Sequence, residues 1–296
     1  MEIGVALPQM APGYGPTTTV DWARRIDAGP FASVSAGERV TFGNPEMVAA
    51  LGACAAVTER VRVFANLWVL PQHPMPMVAQ QIGTLDNLAG GRLEVAVGVG
   101  GREHDYRALG ASFSGRHQAL DDKVGELRRL LAGEPPFEGA DPIGPTCVQP
   151  GGPRILAGAM GPKAMRRAAR WADGISGFSI AGDAAEIAAA GALADECWGE
   201  AGRTEAPRKV SGCFVALGIP DADRVLHEFT ARYLGFLGTE LADAVAATAR
   251  TTTPEKLDAV LDGARQAGCD EFVLVPATTD LRFLDVAAEV ALTSRS

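Results

Sequence analysis

Along the whole chain, short apolar runs alternate with stretches whose apolar residues recur every three or four positions. Eight runs read as strands: residues 3–7, 32–36, 61–66, 93–99, 154–158, 174–178, 212–217 and 271–275. Helical patterns lie between them at 20–26, 44–58, 75–88, 115–131, 162–171, 184–199, 254–267 and 281–292. In 75–88 the apolar set is Met77, Val78, Ile82, Leu85 and Leu88, and Gly90-Gly91 ends the helix. The run 93–99 is almost continuously apolar, as in a parallel strand buried on both faces. Strand–helix alternation repeated in this way predicts an α/β fold of the (β/α)8 TIM-barrel class, one domain over residues 1–296. Two intervals are long: 100–153, with a Pro/Gly-rich second half, and 220–253, with added helical sequence at 227–237 and 241–248. They are expected as insertions after strands 4 and 7, around the catalytic face. A doubly wound sheet would place G-x-G-x-x-G after its first strand, and Pro8-Gln9-Met10-Ala11-Pro12-Gly13 lacks it.

Composition narrows the function. A hydrophobic fraction of 47% supports a sizeable core, and a net charge of −9 argues against nucleic acid or an anionic membrane as partner. The chain has no run of 18 apolar residues, and MEIGVALPQM reads as a first strand and not a signal peptide, so a cytoplasmic protein without a membrane span is expected. Cys54, Cys147, Cys197, Cys213 and Cys269 are scattered without a C-x-x-C pair, the pattern of small buried hydrophobes in a reducing compartment. His73, His104, His117 and His227 show neither H-x-H nor H-E-x-x-H spacing, which predicts no metal site. Lys123, Lys163, Lys209 and Lys256 fall at no predicted strand end, which disfavours a Schiff-base aldolase.

In such barrels the chemistry gathers at the carboxyl ends of the strands. After strand 4, Gly98, Gly100 and Gly101 bring free backbone N–H groups to the start of a helix, an environment that favours an anion and suits a phosphate-bearing cofactor. Arg102 stands ready to pair with that phosphate, and Glu103 lies in the first helical turn. After strand 5, Gly158, Ala159, Met160 and Gly161 repeat the arrangement ahead of Pro162. Glu38-Arg39 follows strand 2, Asn66-Leu67-Trp68 closes strand 3, and Gln72-His73-Pro74 precedes the next helix, where His73 either faces the pocket or caps the surface.

The ordered phrase Thr84-Leu85-Asp86-Asn87-Leu88-Ala89-Gly90-Gly91-Arg92, then Gly98-Val99-Gly100, Glu103 and Tyr106-Arg107-Ala108-Leu109-Gly110, resembles the luciferase-like monooxygenase family, which includes enzymes using FMN and enzymes using the deazaflavin F420. RRAARWADG at 166–174 and TPEKLDAVLDGARQAGCDEFVLV at 253–275 extend the resemblance, which fades between 211 and 253. It implies an oxidoreductase that moves hydride between F420 and a small organic substrate. The alternative is an FMN-dependent monooxygenase served by a separate flavin reductase, and a non-catalytic flavin-binding or accessory member is a further reading. By resemblance, Glu38 lies near the reactive edge of the cofactor, and Arg39 stands where many members carry His. A non-proline cis peptide at Asn66–Leu67 would back the ring, with Asn66 on its polar edge. Gly98, Gly100, Gly101 and Arg102 would meet phosphate or ribityl groups, and Gly158, Ala159, Met160 and Gly161 would hold the phosphate through backbone amides. Glu103 matches a position near the active site. The acidic tail of F420 would need exposed arginines, for which Arg39, Arg102, Arg107 and Arg154 are candidates. A homodimer, with a flavin or F420 reductase as electron donor, is implied in the same way.

Overall fold

Eight parallel strands close into a barrel in chain order in the computed structural model, which describes residues 1–293. They are β1 (Glu2–Ala6), β2 (Ser33–Ala36), β3 (Arg62–Trp68), β4 (Leu93–Val97), β5 (Ile155–Ala157), β6 (Gly174–Ser176), β7 (Arg208–Val215) and β8 (Glu271–Pro276). The helices are α1 (Thr18–Ala28), α2 (Met47–Val57), α3 (Met75–Leu88), α4 (Glu103–Ala108), α5 (Arg116–Leu131), α6 (Pro162–Ala168), α7 (Ala184–Glu200), α8 (Ala222–Leu234), α9 (Thr239–Ala246), α10 (Pro254–Gln266) and α11 (Arg282–Thr293). The (β/α)8 expectation therefore holds strand by strand. Buried stripes such as Val78, Ile82 and Leu85 of α3 and Val124, Leu127 and Leu130 of α5 join the outward residues of the strands in one continuous core. Trp68 belongs to it, nearly inaccessible at 1% exposure. Among the described residues no helix is long and apolar enough to cross a membrane.

Side chains alternate in and out along each strand, and the inward ones sort into levels. Midway up the barrel, Phe64, Ala96, Leu156, Val210 and Val273 form a small apolar cluster, with Ala6, Leu67 and Val275 against it. One step toward the strand starts, the same strands turn charges inward. Arg62 reaches Glu2 at 2.6 Å, Glu271 at 2.7 Å and Glu94 at 3.5 Å. Arg208 reaches Glu94 at 2.9 Å and Glu2 at 3.4 Å, and also pairs with Glu271, which accepts a further hydrogen bond from the Ser33 hydroxyl. Burial pushes the Glu94 carboxyl up against the pull of Arg208, whereas the hydrogen bonds and charge of Arg62 outweigh burial at Glu2 and hold it below the usual range. This plug explains why β7 starts at Arg208 and not at 212: Arg208 and Lys209 read as loop charges, yet Arg208 points into the barrel.

The TLDNLAGGR phrase sits at the same end. Asp86 is fully buried and accepts from Gln149 N at 2.9 Å and Gln149 Nε2 at 2.7 Å. Arg92 donates to Val61 O at 2.6 Å and Thr58 O at 2.8 Å. Gln149 also donates to Leu93 O, and Asn87 Nδ2 to Thr146 O, both within 2.8 Å. The Pro/Gly-rich stretch 133–153 is thereby tied to the end of α3 and the start of β4. This corrects the expectation that it surrounds the catalytic face; Asp86 and Asn87 supply the acceptor and donor that draw it to the strand starts. Cys54, Cys197, Cys213 and Cys269 are buried free thiols and Cys147 is half-buried; burial raises Cys54 and Cys213 to about 12.

Candidate active site

At the opposite end the register between β3 and β4 shifts between Ala65 and Trp68, and the Asn66–Leu67 peptide is cis, as the resemblance implies. The Leu67 side chain lies across the ends of two neighbouring strands. A Cβ at Gly98 would stand 3.2 Å from Leu67 Cδ1, and one at Gly158 would stand 2.4 Å from Leu67 Cδ2. Any larger residue at 158 would displace Leu67, so these two small residues make room for a side chain of the barrel itself. Gly100 has φ +61°, a conformation that favours glycine, and Val69 Cγ1 would lie 3.0 Å from its Cβ. Asn66 Oδ1 accepts from Ser176 Oγ at 2.7 Å. That bond leaves Asn66 Nδ2 without a hydrogen-bond partner among the described residues.

Glu38 is bound into this floor. Its backbone N–H donates to Leu67 O at 3.1 Å, and its Oε2 accepts from Val69 N at 2.7 Å. Its other oxygen, Oε1, meets His73 Nε2 at 2.5 Å. Lys123 of α5 donates to His73 O at 2.6 Å and Pro71 O at 3.0 Å, fixing the turn that carries the imidazole; burial lowers its pKa. A carboxylate and an imidazole from two separate loops thus form a pair at the rim, Glu38 at 11% and His73 at 23% side-chain exposure. The sequence places both residues but gives no sign that they meet. With Nε2–H donated to Glu38, the neutral ring presents Nδ1 as its free acceptor.

The insertion after β7 forms a roof. The Arg39 guanidinium carbon lies 4.2 Å from the centre of the Tyr233 ring and 4.8 Å from that of Phe42, joining the loop after β2 to α8. Tyr233 in turn packs edge-on against Phe214 of β7, with ring centres 5.0 Å apart. Phe236 lies over Gly101. Asp105 of α4 anchors the β2 loop by accepting from Thr41 N at 2.8 Å and from the Thr41 hydroxyl. Burial opposes its ionisation, but the bonds from Thr41 and the charge of Arg102 hold it below the ordinary carboxylate range.

The structure thus gathers Glu38, Asn66, Leu67, Gly98, Gly100 and Gly158 at one mouth. Arg102 stands beside it but is engaged, donating to Thr41 O at 3.1 Å and lying 3.7 Å from Asp105. Glu103 is exposed in the first turn of α4. Ala159, Met160 and Gly161 border a cavity of about 180 Å³ between the β5–β7 wall and α7, and Met160 is 84% exposed. Among the described residues, five buried polar atoms in the loops after β1, β2, β3 and β4 have no hydrogen-bond partner: Gln9 Oε1, Arg39 Nε, Asn44 Oδ1, Gln72 Oε1 and Arg102 Nε; Arg62 Nε, Arg208 Nε and both Glu94 oxygens of the plug share that condition but lie in ion pairs. Buried polar groups are seldom left this way without a ligand or water to complete them. No group of three metal-ligating side chains occurs among the described residues.

The family model described as luciferase-like monooxygenase matches residues 1–273. An uncharacterised protein of Mycobacterium tuberculosis is 36% identical over 135 residues, covering 43% of this chain and 45% of that protein, so the match spans less than half the length of that relative. Among solved structures, the monooxygenase RslO1 from Streptomyces bottropensis superposes with a TM-score of 0.81 at 22% identity, covering 100% of both chains. An F420-dependent secondary alcohol dehydrogenase bound to an F420–acetone adduct superposes with a TM-score of 0.82 at 20% identity, covering 100% of this chain and 99% of that one. At these identities the superpositions establish the fold.

Proposed function

The chain belongs to the luciferase-like monooxygenase family, and from that premise we propose that it is an oxidoreductase that binds F420 and transfers hydride to or from a small organic substrate at the mouth bounded by Leu67, Glu38 and His73. The observation that carries this reading is the Glu38–His73 pair, held by Val69 N and Lys123 at the rim of the Leu67 floor.

The residues fit a flavin-type group. Leu67, with Ala6 and Val275 beside it, offers an apolar floor. Gln9 Oε1 and Gln72 Oε1 offer two unpartnered acceptors, and Asn66, whose Oδ1 is taken by Ser176, offers its amide N–H, all suited to the polar edge of such a ring. Gly98, Gly100, Gly101, Gly158, Ala159, Met160 and Gly161 would hold its phosphate-bearing chain, with Arg102 beside them. Bound F420 supplies hydride transfer, and FMN would also allow oxygen chemistry. The protein's own part is proton handling and positioning. Glu38 orients the imidazole through Nε2, and His73 accepts or returns a proton at Nδ1 as a substrate oxygen gains or loses charge. The β7 insertion covers the mouth and limits water. Glu103, exposed on α4, stands outside this scheme unless the cofactor extends over the rim.

The second reading, an FMN-dependent monooxygenase with a separate flavin reductase, draws support from RslO1, itself a monooxygenase. Titration of the purified protein with F420 and, separately, FMN decides between them, followed by cofactor absorbance and tryptophan fluorescence. Preferential binding of F420 supports the first reading and tight FMN binding the second. If neither binds, the oxidoreductase reading fails. In the F420 case His73→Gln is expected to lower kcat about 100- to 10,000-fold while the cofactor Kd stays within about twofold; equal loss of both would make His73 a binding residue only.

A further inference from the structure

Glu38 and Arg39 are consecutive, and their side chains part at the end of β2. Glu38 commits both oxygens to Val69 and His73. Arg39 turns to the roof, its guanidinium carbon over the rings of Phe42 and Tyr233. Contact with aromatic rings takes up none of a guanidinium's N–H donors, and a carboxylate can bind such donors through two parallel hydrogen bonds. One of these groups, on Nη2, donates to Tyr233 O at 3.2 Å. The Nε–H is buried and has no hydrogen-bond partner among the described residues.

The surrounding charge is unbalanced. The Arg232 guanidinium carbon lies 4.7 Å and that of Arg102 5.8 Å from the centre of the same Phe42 ring. One carboxylate, Asp105, serves this group, 3.7 Å from Arg102 and already bonded to Thr41. Among the described residues no carboxylate lies within ion-pairing distance of Arg39 or Arg232. Three cations therefore converge on one side of the mouth in a chain whose net charge is −9. At the barrel's other end every inward arginine meets glutamate.

We propose that Arg39 is the recognition group for a carboxylate on the substrate, so that the substrate class is a small, flat organic acid held edge-on to the guanidinium between Phe42 and Tyr233. The inference rests on the reading of this mouth as the active site. It gives the site two divided tasks from adjacent residues: Arg39 holds the anionic end, and the Glu38–His73 pair serves the reacting end. Arg102 and Arg232 enlarge the positive potential that draws the acid in.

The test uses ¹⁹F NMR of 4-fluorobenzoate and of its neutral counterpart 4-fluorobenzamide, titrated with the purified protein. Saturable broadening of the benzoate is expected, with the benzamide at least about tenfold weaker. Arg39→Gln should weaken the benzoate by about tenfold or more and leave the benzamide unchanged. Arg39→Lys should fall between, because it keeps the charge and loses the fork. Absence of saturable benzoate binding to the wild-type protein, equal binding of acid and amide, or equal binding of benzoate by wild type and Arg39→Gln overturns the proposal. The same variants are titrated with F420 and FMN. If Arg39→Gln weakens F420 but not FMN, the anion held is the acidic tail of the cofactor, and the substrate assignment is overturned. Failure of the oxidoreductase reading shows separately, as wild-type protein that binds neither cofactor whatever the fluorobenzoate result.

Discussion

The two ends of this barrel use the same kinds of residue to opposite ends. At the strand starts, Arg62 and Arg208 are enclosed by Glu2, Glu94 and Glu271, and each carboxylate is shared between the two guanidinium groups. At the strand ends, Arg39, Arg102 and Arg232 crowd one phenylalanine with one aspartate among them. Matched ion pairs make the first end a plug. The lack of such matching makes the second a place where something from outside can bind. Burial alone does not separate them, since both hold polar atoms away from water; the balance of donors against acceptors does.

The sharpest way to break this contrast is to unbalance the plug. Arg208→Met leaves Glu94 and the fully buried Glu271 with Arg62 as their principal partner, and a loss of about 3–5 kcal/mol is expected. Chemical denaturation measures it, and cofactor affinity of the fraction still folded should match wild type; an equal loss of affinity would mean the plug also shapes the mouth. A smaller effect is expected from Gly158→Ala, whose Cβ would stand 2.4 Å from Leu67 Cδ2. Here about 1–3 kcal/mol is lost and cofactor affinity falls as well, because the displaced group is the floor of the mouth. The smallest concerns Asp105. Its folded pKa lies below the ordinary value, so its contribution is present above about pH 4 and is lost as pH falls through the depressed folded pKa. The gap in Tm between wild type and Asp105→Asn should therefore be widest near neutral pH and close as acid is added. A gap independent of pH would assign the effect to packing and not to the charge that holds Thr41.

The fold was legible because parallel strands and amphipathic helices differ in period, and β1 to β8 answer the predicted runs closely. The exception, the start of β7, shows where hydropathy misleads: Arg208 is a charge turned inward, and a partner at Glu94 is invisible in a linear pattern. The phrase that carries the resemblance most strongly, TLDNLAGGR, works at the plugged end, where Asp86 and Arg92 tie turns together. It identifies the fold better than it identifies the chemistry. In the site, Glu38, Asn66 and Leu67 could be read from their places after strands. Gly98 and Gly158 were legible as small, though the reason for their size is Leu67. The approach of His73 to Glu38, and of Tyr233 on α8 to Arg39, joins residues 35 and 194 positions apart, and no local signal marks either.

Leu67, Gly98 and Gly158 share one fixed volume, and that has a consequence for descent and redesign. A Cβ added at 98 or 158 alone presses on Leu67, but a smaller residue at 67 would free the space that a methyl group at 98 or 158 could then fill. Among related sequences these positions should vary together, with their summed size conserved. A library that trades bulk among the three would reshape the floor beneath the ligand while leaving the arginines of the roof and the carboxylate–imidazole pair untouched.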